Sequence, residues 1–144
     1  MNICELGLSH CAVIARLHEE SFSENWSIQA FADLVGLPAT FGFLAFDRDS
    51  DDPLGFILCQ GDNIEAEIIT IATRPAARRQ GVARALLKAA CIKSARMFLE
   101  VATDNLSAIS FYEKHGFAKI GLRKNYYKRP NGKVVDALVY EFTA

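Results

Sequence analysis

The chain has 144 residues, of which 51% are hydrophobic and 23% are charged, and its formal net charge is −1. This balance is typical of a soluble globular protein, and residues 1–144 suffice for a single domain whose core needs neither disulfides nor a metal. The small net charge and the lack of an apolar run of about 18 residues argue against direct nucleic-acid binding and against a membrane protein. No signal peptide is evident, so we expect a cytoplasmic protein.

The first half of the chain predicts two helices followed by two strands. Ser9 is a candidate N-cap for a helix over residues 10–21, and Ser27 is one for a short helix that runs through Val35. The polar stretch after Phe46 is typical of a hairpin loop. The strands that it joins are predicted over Thr40–Phe46 and Leu54–Gln60.

A longer strand is predicted over Ile64–Thr73, and its apolar positions change phase near the middle. Residues 64, 66 and 68 are apolar, and then residues 69 and 71 are. A β-bulge produces such a change, and bulges are frequent beside functional sites. Helical spacing of apolar residues then predicts a helix over residues 80–96, before a strand over Met97–Ala102. This β-α-β order predicts two parallel strands joined by a right-handed crossover.

The last third of the chain predicts a helix over Asn105–His115 and two further strands, Phe117–Leu122 and Val134–Phe142. The whole order of elements predicts a mixed α/β (α+β) fold, in which one sheet carries helices on its faces. No linker or second domain is indicated. Fold alone does not give function, so the function has to come from a site.

The cysteines carry no metal or disulfide signal. They are scattered along the chain and form no C-x-x-C pair, which is typical of buried thiols in a reducing compartment. We therefore expect no metal site. The cysteines are Cys4, Cys11, Cys59 and Cys91.

The basic segment Arg74–Arg84 joins the end of a predicted strand to the start of a predicted helix. Backbone N–H groups at a helix N-terminus lack partners and face a positive dipole end, so an anion fits there. Gly81 and Ala83 leave room for a pyrophosphate to approach the backbone, and neighbouring arginines add charge. The pattern matches neither a P-loop nor G-x-G-x-x-G. The alternative is an ordinary solvated basic turn.

Two further side chains are candidates for proton chemistry. Glu100 is the one charged residue in the strand core 97–102, which parallel pairing should cover on both faces, so its carboxylate is a candidate general base. The alternatives are a glutamate at an uncovered sheet edge or one paired with an arginine. Tyr112 lies on the helix that follows, where packing in the core is the alternative role.

These segments resemble the GNAT acetyltransferase superfamily. Arg78–Ala83 is similar to its acetyl-CoA loop, Arg/Gln-x-x-Gly-x-Gly/Ala, and the likeness covers essentially the whole chain. Within the superfamily the chain resembles the ribosomal-protein-alanine N-acetyltransferases (RimI type). The segments that carry this second likeness are Asn25-Trp26-Ser27, Phe98–Val101, Asn105–Phe117 and Arg123–Tyr127.

The resemblance implies a GNAT fold, with a mostly antiparallel sheet around a central parallel βαβ unit and helices on both faces. It implies acetyl-CoA as co-substrate, without a metal. The backbones of Ile71, Ala72 and Thr73 would pair with the pantetheine arm, and Asn105 would also bind that arm. The pyrophosphate would be held by Arg78, Arg79, Gln80, Gly81, Val82 and Ala83.

The resemblance also implies the catalytic and acceptor residues. Glu100 would be the general base, and Tyr112 would be the acid that protonates the departing CoA thiolate. The acceptor, an N-terminal alanine of a small-subunit ribosomal protein, would lie between Trp26 and the hairpin residues Asn125, Tyr126 and Tyr127. Two alternatives stay open: acetylation of a lysine side chain or a small-molecule amine, and a non-catalytic acyl-CoA-binding regulator.

Overall fold

The computed structural model describes residues 1–24 and 26–144; Asn25, in the segment next to Trp26, lies outside the described residues. Seven strands form one sheet in the order β1-β2-β3-β4-β5-β7-β6. The strands are β1 (Asn2–Glu5), β2 (Thr40–Phe46), β3 (Pro53–Gly61), β4 (Glu65–Thr73), β5 (Arg96–Ala102), β6 (Ala118–Lys128) and β7 (Val134–Thr143). The helices are α1 (Cys11–Ser21), α2 (Ile28–Val35), α3 (Val82–Cys91) and α4 (Leu106–Lys114).

The sheet is mostly antiparallel, as the resemblance implies. Among the strands of the described residues, β4 and β5 are the one parallel pair, and α3 is the crossover between them. The prediction of a mixed α/β fold with a βαβ unit is therefore confirmed. Within the described part of the chain, no helix is both long and apolar enough to cross a membrane.

Helices cover both faces of the sheet and bury two apolar clusters. Leu86 of α3 and Met97 and Leu99 of β5 belong to the larger cluster, in which each is at most 2% exposed. Ile14 of α1 and Phe31 of α2 belong to the smaller one, on the opposite face. Burying one large apolar side chain contributes about 1.5–3 kcal/mol, so these two clusters fix which face each helix takes.

The predicted bulge in β4 is confirmed. Leu58 of β3 pairs with Thr70, and the next residue, Cys59, pairs with Ile68, so Ile69 is the extra residue. The parallel pairing of β4 with β5 runs only from Glu65–Arg96 to Glu67–Phe98. Since β4 stays paired with β3 and β5 with β7, the carboxyl-terminal halves of β4 and β5 diverge. This divergence, hereafter the β4–β5 cleft, positions the site.

Near the N-terminus one strand was missed, one prediction is wrong and one is confirmed. The short strand β1 was not predicted from the sequence. Ser9 is not the cap of α1, because it lies in a 3₁₀ turn in which the Gly7 amide donates to His10 Nδ1 at 3.0 Å. Ser27 does cap α2: its Oγ accepts from the Ala30 amide at 3.0 Å.

The boundaries of two elements also differ from prediction, because of a helix cap and because of how the strands pair. The predicted helix over residues 80–96 is shorter at both ends, because Gly81 takes the N-cap and Arg96 already pairs with β4 as the start of β5. The predicted strand Phe117–Leu122 runs on to Lys128. The pairing of β6 with β7 shifts register between Arg123 and Tyr127. Strand β6 therefore continues although apolar and polar residues do not alternate there.

Candidate active site

The cleft opens beside the N-terminus of α3. Gly81 is the N-cap with φ +82°, and Arg79 has φ +65°, so the turn passes twice through the left-handed region. A Cβ built on Gly81 meets no protein atom within 4 Å. Because glycine has no side chain to cap the helix, the amides of the first turn of α3 face open space. This arrangement suits an anion, as the sequence predicts.

The end of β4 is tied to this turn through one carbonyl oxygen. The Thr73 oxygen accepts from Ser21 Oγ of α1 and from Arg78 Nε, each at 3.3 Å. The side chains of Ala72 and Val82 are buried in the core, so only their backbones can reach a ligand. Ile71 is partly buried against the larger cluster. The structure thus brings the predicted cofactor residues of β4 and α3 together along one edge of the cleft.

Asn105 lies at the other edge of the cleft, where β5 leads into α4. Its Oδ1 accepts from the Ala108 amide at 3.3 Å, so Asn105 is the N-cap of α4. The side chain is exposed. Asn105 therefore has a structural role in the helix as well as a place beside the opening.

Glu100 is both buried and paired with an arginine. Its side chain is 9% exposed, and Oε1 lies 3.3 Å from Arg123 Nε. Oε2 is buried and accepts no hydrogen bond from any described residue. Leaving a buried carboxylate oxygen unpaired carries a desolvation cost, which a bound donor would relieve. The alternative of an arginine pair is thus correct, but it occupies only one of the two oxygens.

Glu67 is a second carboxylate on the same face of the sheet. It pairs with Phe98, and Glu100 is two residues further along β5, so both side chains point to one side. Burial raises the pKa of Glu67, the negative charge of Glu100 raises it further, and Arg123 lowers it. Sequence reasoning missed Glu67. The apolar alternation at residues 64, 66 and 68 was the available signal, since it places Glu67 on the opposite face.

The tyrosines of β6 reach Glu100 because the strand carries extra residues. Arg123 pairs with Ala137 and Tyr127 with Val135, so four steps on β6 face two on β7. Asn125 has φ +55° in this irregularity, and its amide donates to Asp136 Oδ1 at 2.8 Å.

The result is a pair of phenols beside the carboxylate. The Tyr127 hydroxyl donates to the Glu100 carbonyl oxygen at 3.1 Å, and the rings of Tyr126 and Tyr127 are 5.0 Å apart. Burial, followed by the charge of Glu100, raises the pKa of Tyr127 to about 12. Polar contact with the Glu100 carboxylate, together with burial, also raises the pKa of Tyr126. Both phenols stay protonated near neutral pH.

Tyr112 lies in the core on the other face of the sheet. It is 6% exposed, and its ring is 5.4 Å from that of Phe117. Burial, with smaller effects from Cys59 and Tyr127, raises the pKa of the Tyr112 phenol. Tyr127 is therefore a neighbour of both candidate catalytic residues. The Tyr112 ring packs in the core, and its hydroxyl, which no described residue hydrogen-bonds, stays protonated.

Trp26 packs against α1 and α2, on the face of the sheet that Glu67 and Glu100 also occupy. Among the described residues, its ring contacts are with His18, at 4.8 Å, and Phe31, at 5.4 Å. This aromatic cluster belongs to the α1–α2 face. No group of three or more His, Cys, Asp or Glu side chains in the described ranges is placed to hold a metal ion.

Comparison with known proteins agrees with this architecture. Residues 11–117 match the model of the acetyltransferase (GNAT) family, which covers more than half of the chain. The chain therefore belongs to the GNAT acetyltransferase family.

Particular relatives share one name. The ribosomal protein bS18-alanine N-acetyltransferase of Haemophilus ducreyi is 31% identical over 142 residues, which are 88% of this chain and 97% of that protein. The enzyme of the same name from Escherichia coli K12 is 38% identical over 120 residues, 79% and 78% of the two chains. A crystal structure of the ribosomal-protein-S18-alanine N-acetyltransferase from Escherichia coli superposes with a TM-score of 0.88 at 27% identity, covering 99% of this chain and 92% of that one.

Proposed function

We propose that the protein transfers the acetyl group of acetyl-CoA to the N-terminal α-amine of a protein, an alanine of a small-subunit ribosomal protein. The observation that carries this proposal is the Glu100 carboxylate at the β4–β5 cleft, whose side chain is 9% exposed and whose Oε2 accepts no hydrogen bond from the described part of the chain. Relatives that cover most of the chain are named for this reaction on ribosomal protein bS18.

Acetyl-CoA fits the residues along the cleft. Gly81 leaves open space above the first amides of α3, and Arg78 and Arg79 supply positive charge at the turn for the pyrophosphate. The backbone of residues 71–73 and the exposed side chain of Asn105 would hold the pantetheine arm on either side. The co-substrate supplies an acetyl thioester, whose C–S bond breaks as the C–N bond to the amine forms.

Glu100 and Tyr112 would then have separate roles, one toward the acceptor amine and the other toward the thiolate. Glu100 accepts a proton from the acceptor amine, directly or through a water, as the nitrogen becomes bonded to the acetyl carbon. Tyr112 donates a hydrogen bond that strengthens as negative charge develops on the sulfur, and its raised pKa keeps that proton in place beforehand. No covalent enzyme intermediate is needed, because amine and thioester react once they are held together.

The α-amine is the acceptor that best suits a carboxylate base. Its ordinary pKa is about 7.7–8.0, so deprotonation at pH 7 costs roughly 1 kcal/mol, whereas a lysine of pKa about 10.4 costs roughly 4.6 kcal/mol. The exposed ring of Tyr126 and the neighbouring Tyr127 and Asn125 would line the path of the incoming peptide. Trp26 would contribute from the opposite side of the cleft.

Two peptides test this proposal. A peptide with a free N-terminal alanine should be acetylated on its first residue, located by mass spectrometry. The same peptide with a blocked N-terminus and an internal lysine should react much more slowly. Equal turnover of both would favour a lysine-directed or promiscuous acetyltransferase. Binding of acetyl-CoA with turnover of neither peptide would favour a non-catalytic regulator.

A further inference from the structure

The pairing of Arg123 with Glu100 gives the two carboxylate oxygens different surroundings. Oε1 lies 3.3 Å from Arg123 Nε, whereas Oε2 is buried and accepts no hydrogen bond from a described residue. A glutamate side chain that is 9% exposed can turn little, so the arginine settles which oxygen stays available. The Tyr126 hydroxyl also comes near the carboxylate but donates no hydrogen bond to Oε2, so Oε2 is the oxygen that is free to accept a proton from a ligand.

Arg123 is itself held from two sides. Its side chain is 60% exposed, and the guanidinium lies over the ring of Tyr126, 5.5 Å from the centroid. Its Cα pairs with Ala137 on β7, two residues from Val139, which pairs with Glu100. Arg123 therefore reaches across β7 from the edge strand. A guanidinium stays charged at every relevant pH, so this positive charge is a fixed part of the site.

The other titratable groups that face Glu100 are acidic or phenolic. Glu67 approaches from β4, and Tyr126 and Tyr127 approach from β6. Without Arg123, two carboxylates would face the incoming amine and would attract any ammonium ion. The one positive charge of Arg123 offsets half of the negative charge of the two carboxylates. The cation also disfavours a second positive charge beside it.

We infer that Arg123 is a positioning and specificity-determining residue for the transfer reaction: it holds Glu100 by Oε1, presents Oε2 to the acceptor, and selects an amine that can be neutral near neutral pH. The inference rests on the proposed function, since it concerns the same acceptor site. An α-amine loses its proton near pH 8, and a lysine side chain keeps its proton to about pH 10. The fixed charge of Arg123 therefore favours an N-terminus over a lysine side chain.

The test measures kcat/KM for the two peptides described above, over about pH 6 to 9, a range that spans the ordinary pKa of an α-amine. The variants are Arg123→Gln, Arg123→Met, which keeps an unbranched apolar stem over Tyr126, and Arg123→Lys, which keeps the charge. Lys119→Gln is the matched control, because it removes one exposed charge from the same strand. Melting curves with and without acetyl-CoA accompany each variant.

Both neutral variants should lower the preference for the α-amine over lysine by about tenfold or more, with acetyl-CoA binding retained. Arg123→Lys should restore most of the preference, and Lys119→Gln should leave it unchanged.

The inference is overturned if either folded neutral variant keeps the wild-type preference for the α-amine. It is equally overturned if Arg123→Lys loses the preference as fully as Arg123→Gln does, since charge is then not the determinant. Failure of the wild-type protein to acetylate the N-terminal peptide is a different result. That outcome counts against the proposed function itself.

Discussion

The two sides of the β4–β5 cleft are built in different ways. The proposed cofactor side, residues 71–83, is one continuous stretch of chain, in which the open backbone at Gly81 would supply most of the contacts that a phosphate requires. The proposed acceptor side combines Glu67, Glu100, Arg123 and the two tyrosines of β6, which come from three strands. One side depends on backbone conformation. The other depends on side chains that register brings together.

This difference predicts opposite sensitivities. Changes of side chain should affect the acceptor side strongly and the cofactor side weakly, except at the glycine. Changes that distort the backbone should do the reverse. Each experiment below either separates the two sides or shows that they are not separable.

The largest expected effect is on the acceptor side. Replacement Glu100→Gln keeps the size of the side chain and removes the base, so kcat should fall by roughly 10²–10⁴, the range typical of general acid–base catalysis. The loss should shrink at high pH, where the amine is already neutral. Acetyl-CoA binding should remain measurable by its effect on the melting temperature.

The matched control for this variant is Glu67→Gln, on the same face of the sheet. It should lower kcat much less, because Glu67 lies in the paired part of β4, whereas Glu100 lies where β4 and β5 have diverged. If Glu67→Gln costs more than Glu100→Gln, the general base is Glu67. If neither variant slows turnover, both carboxylates are structural.

A smaller loss is expected at Tyr112, which packs under the cleft. Replacement Tyr112→Phe keeps the ring and its contact with Phe117, and no described residue is seen to hydrogen-bond the hydroxyl, so the melting temperature should barely change. If the hydroxyl stabilises the sulfur of the departing thiolate, kcat should fall by roughly 10²-fold. Unchanged turnover would leave Tyr112 with packing alone.

The cofactor side is tested by a pair of glycines with nearly equal φ angles. Gly81 has φ +82° and Gly132 has φ +84°, and a Cβ built on either meets no protein atom within 4 Å. Valine at either position should cost about 1–2 kcal/mol of stability from the left-handed conformation alone. Only Gly81→Val should also abolish the rise in melting temperature caused by acetyl-CoA. In the wild type, bound acetyl-CoA at 100 times its Kd raises the free energy of unfolding by about 2.7 kcal/mol.

Gly132 lies in the β6–β7 turn, outside the stretch of residues 71–83, so Gly132→Val isolates the cost of backbone strain. If both variants bind acetyl-CoA like the wild type, the turn before α3 is not the phosphate site. If both lose binding equally, the effect is one of general stability. Either result would remove the contrast between the two sides of the cleft.

The same contrast explains what the sequence could predict. The turn at Gly81, the bulge at Ile69 and the cap at Ser27 each follow from residues close together in the chain. The meeting of Glu100 with Arg123 depends on the register of β5, β7 and β6, which no local pattern contains. Asn125 is a second example, because it lies in the irregular part of β6. Its left-handed conformation lets β6 continue to Lys128, where alternation alone predicted an end at Leu122.

Trp26 shows a further limit of the same kind. The resemblance places it in the acceptor site, and the structure shows what it rests on: the ring of His18, 4.8 Å away, which is 3% exposed. A buried histidine at the end of a helix carries no distinctive sequence signal. Its position makes the α1–α2 face sensitive to acid.

The smallest expected effect is this dependence of stability on pH. Burial lowers the pKa of His18, with Glu24 partly opposing it, while the histidine of the unfolded chain titrates near pH 6.5. Between the two values the unfolded chain binds more protons than the folded one, so stability falls as the pH drops below about 6.5. Glu67 acts in the opposite direction, because its raised pKa lets the folded protein bind the extra proton.

The measurement is therefore a comparison between variants. From pH 7.5 down to about 5.5, the melting temperature of His18→Leu should fall less than that of the wild type, and the melting temperature of Glu67→Gln should fall more. Parallel curves for all three proteins would show that His18 keeps its ordinary titration in the fold, and that the stacking under Trp26 does not depend on a neutral imidazole.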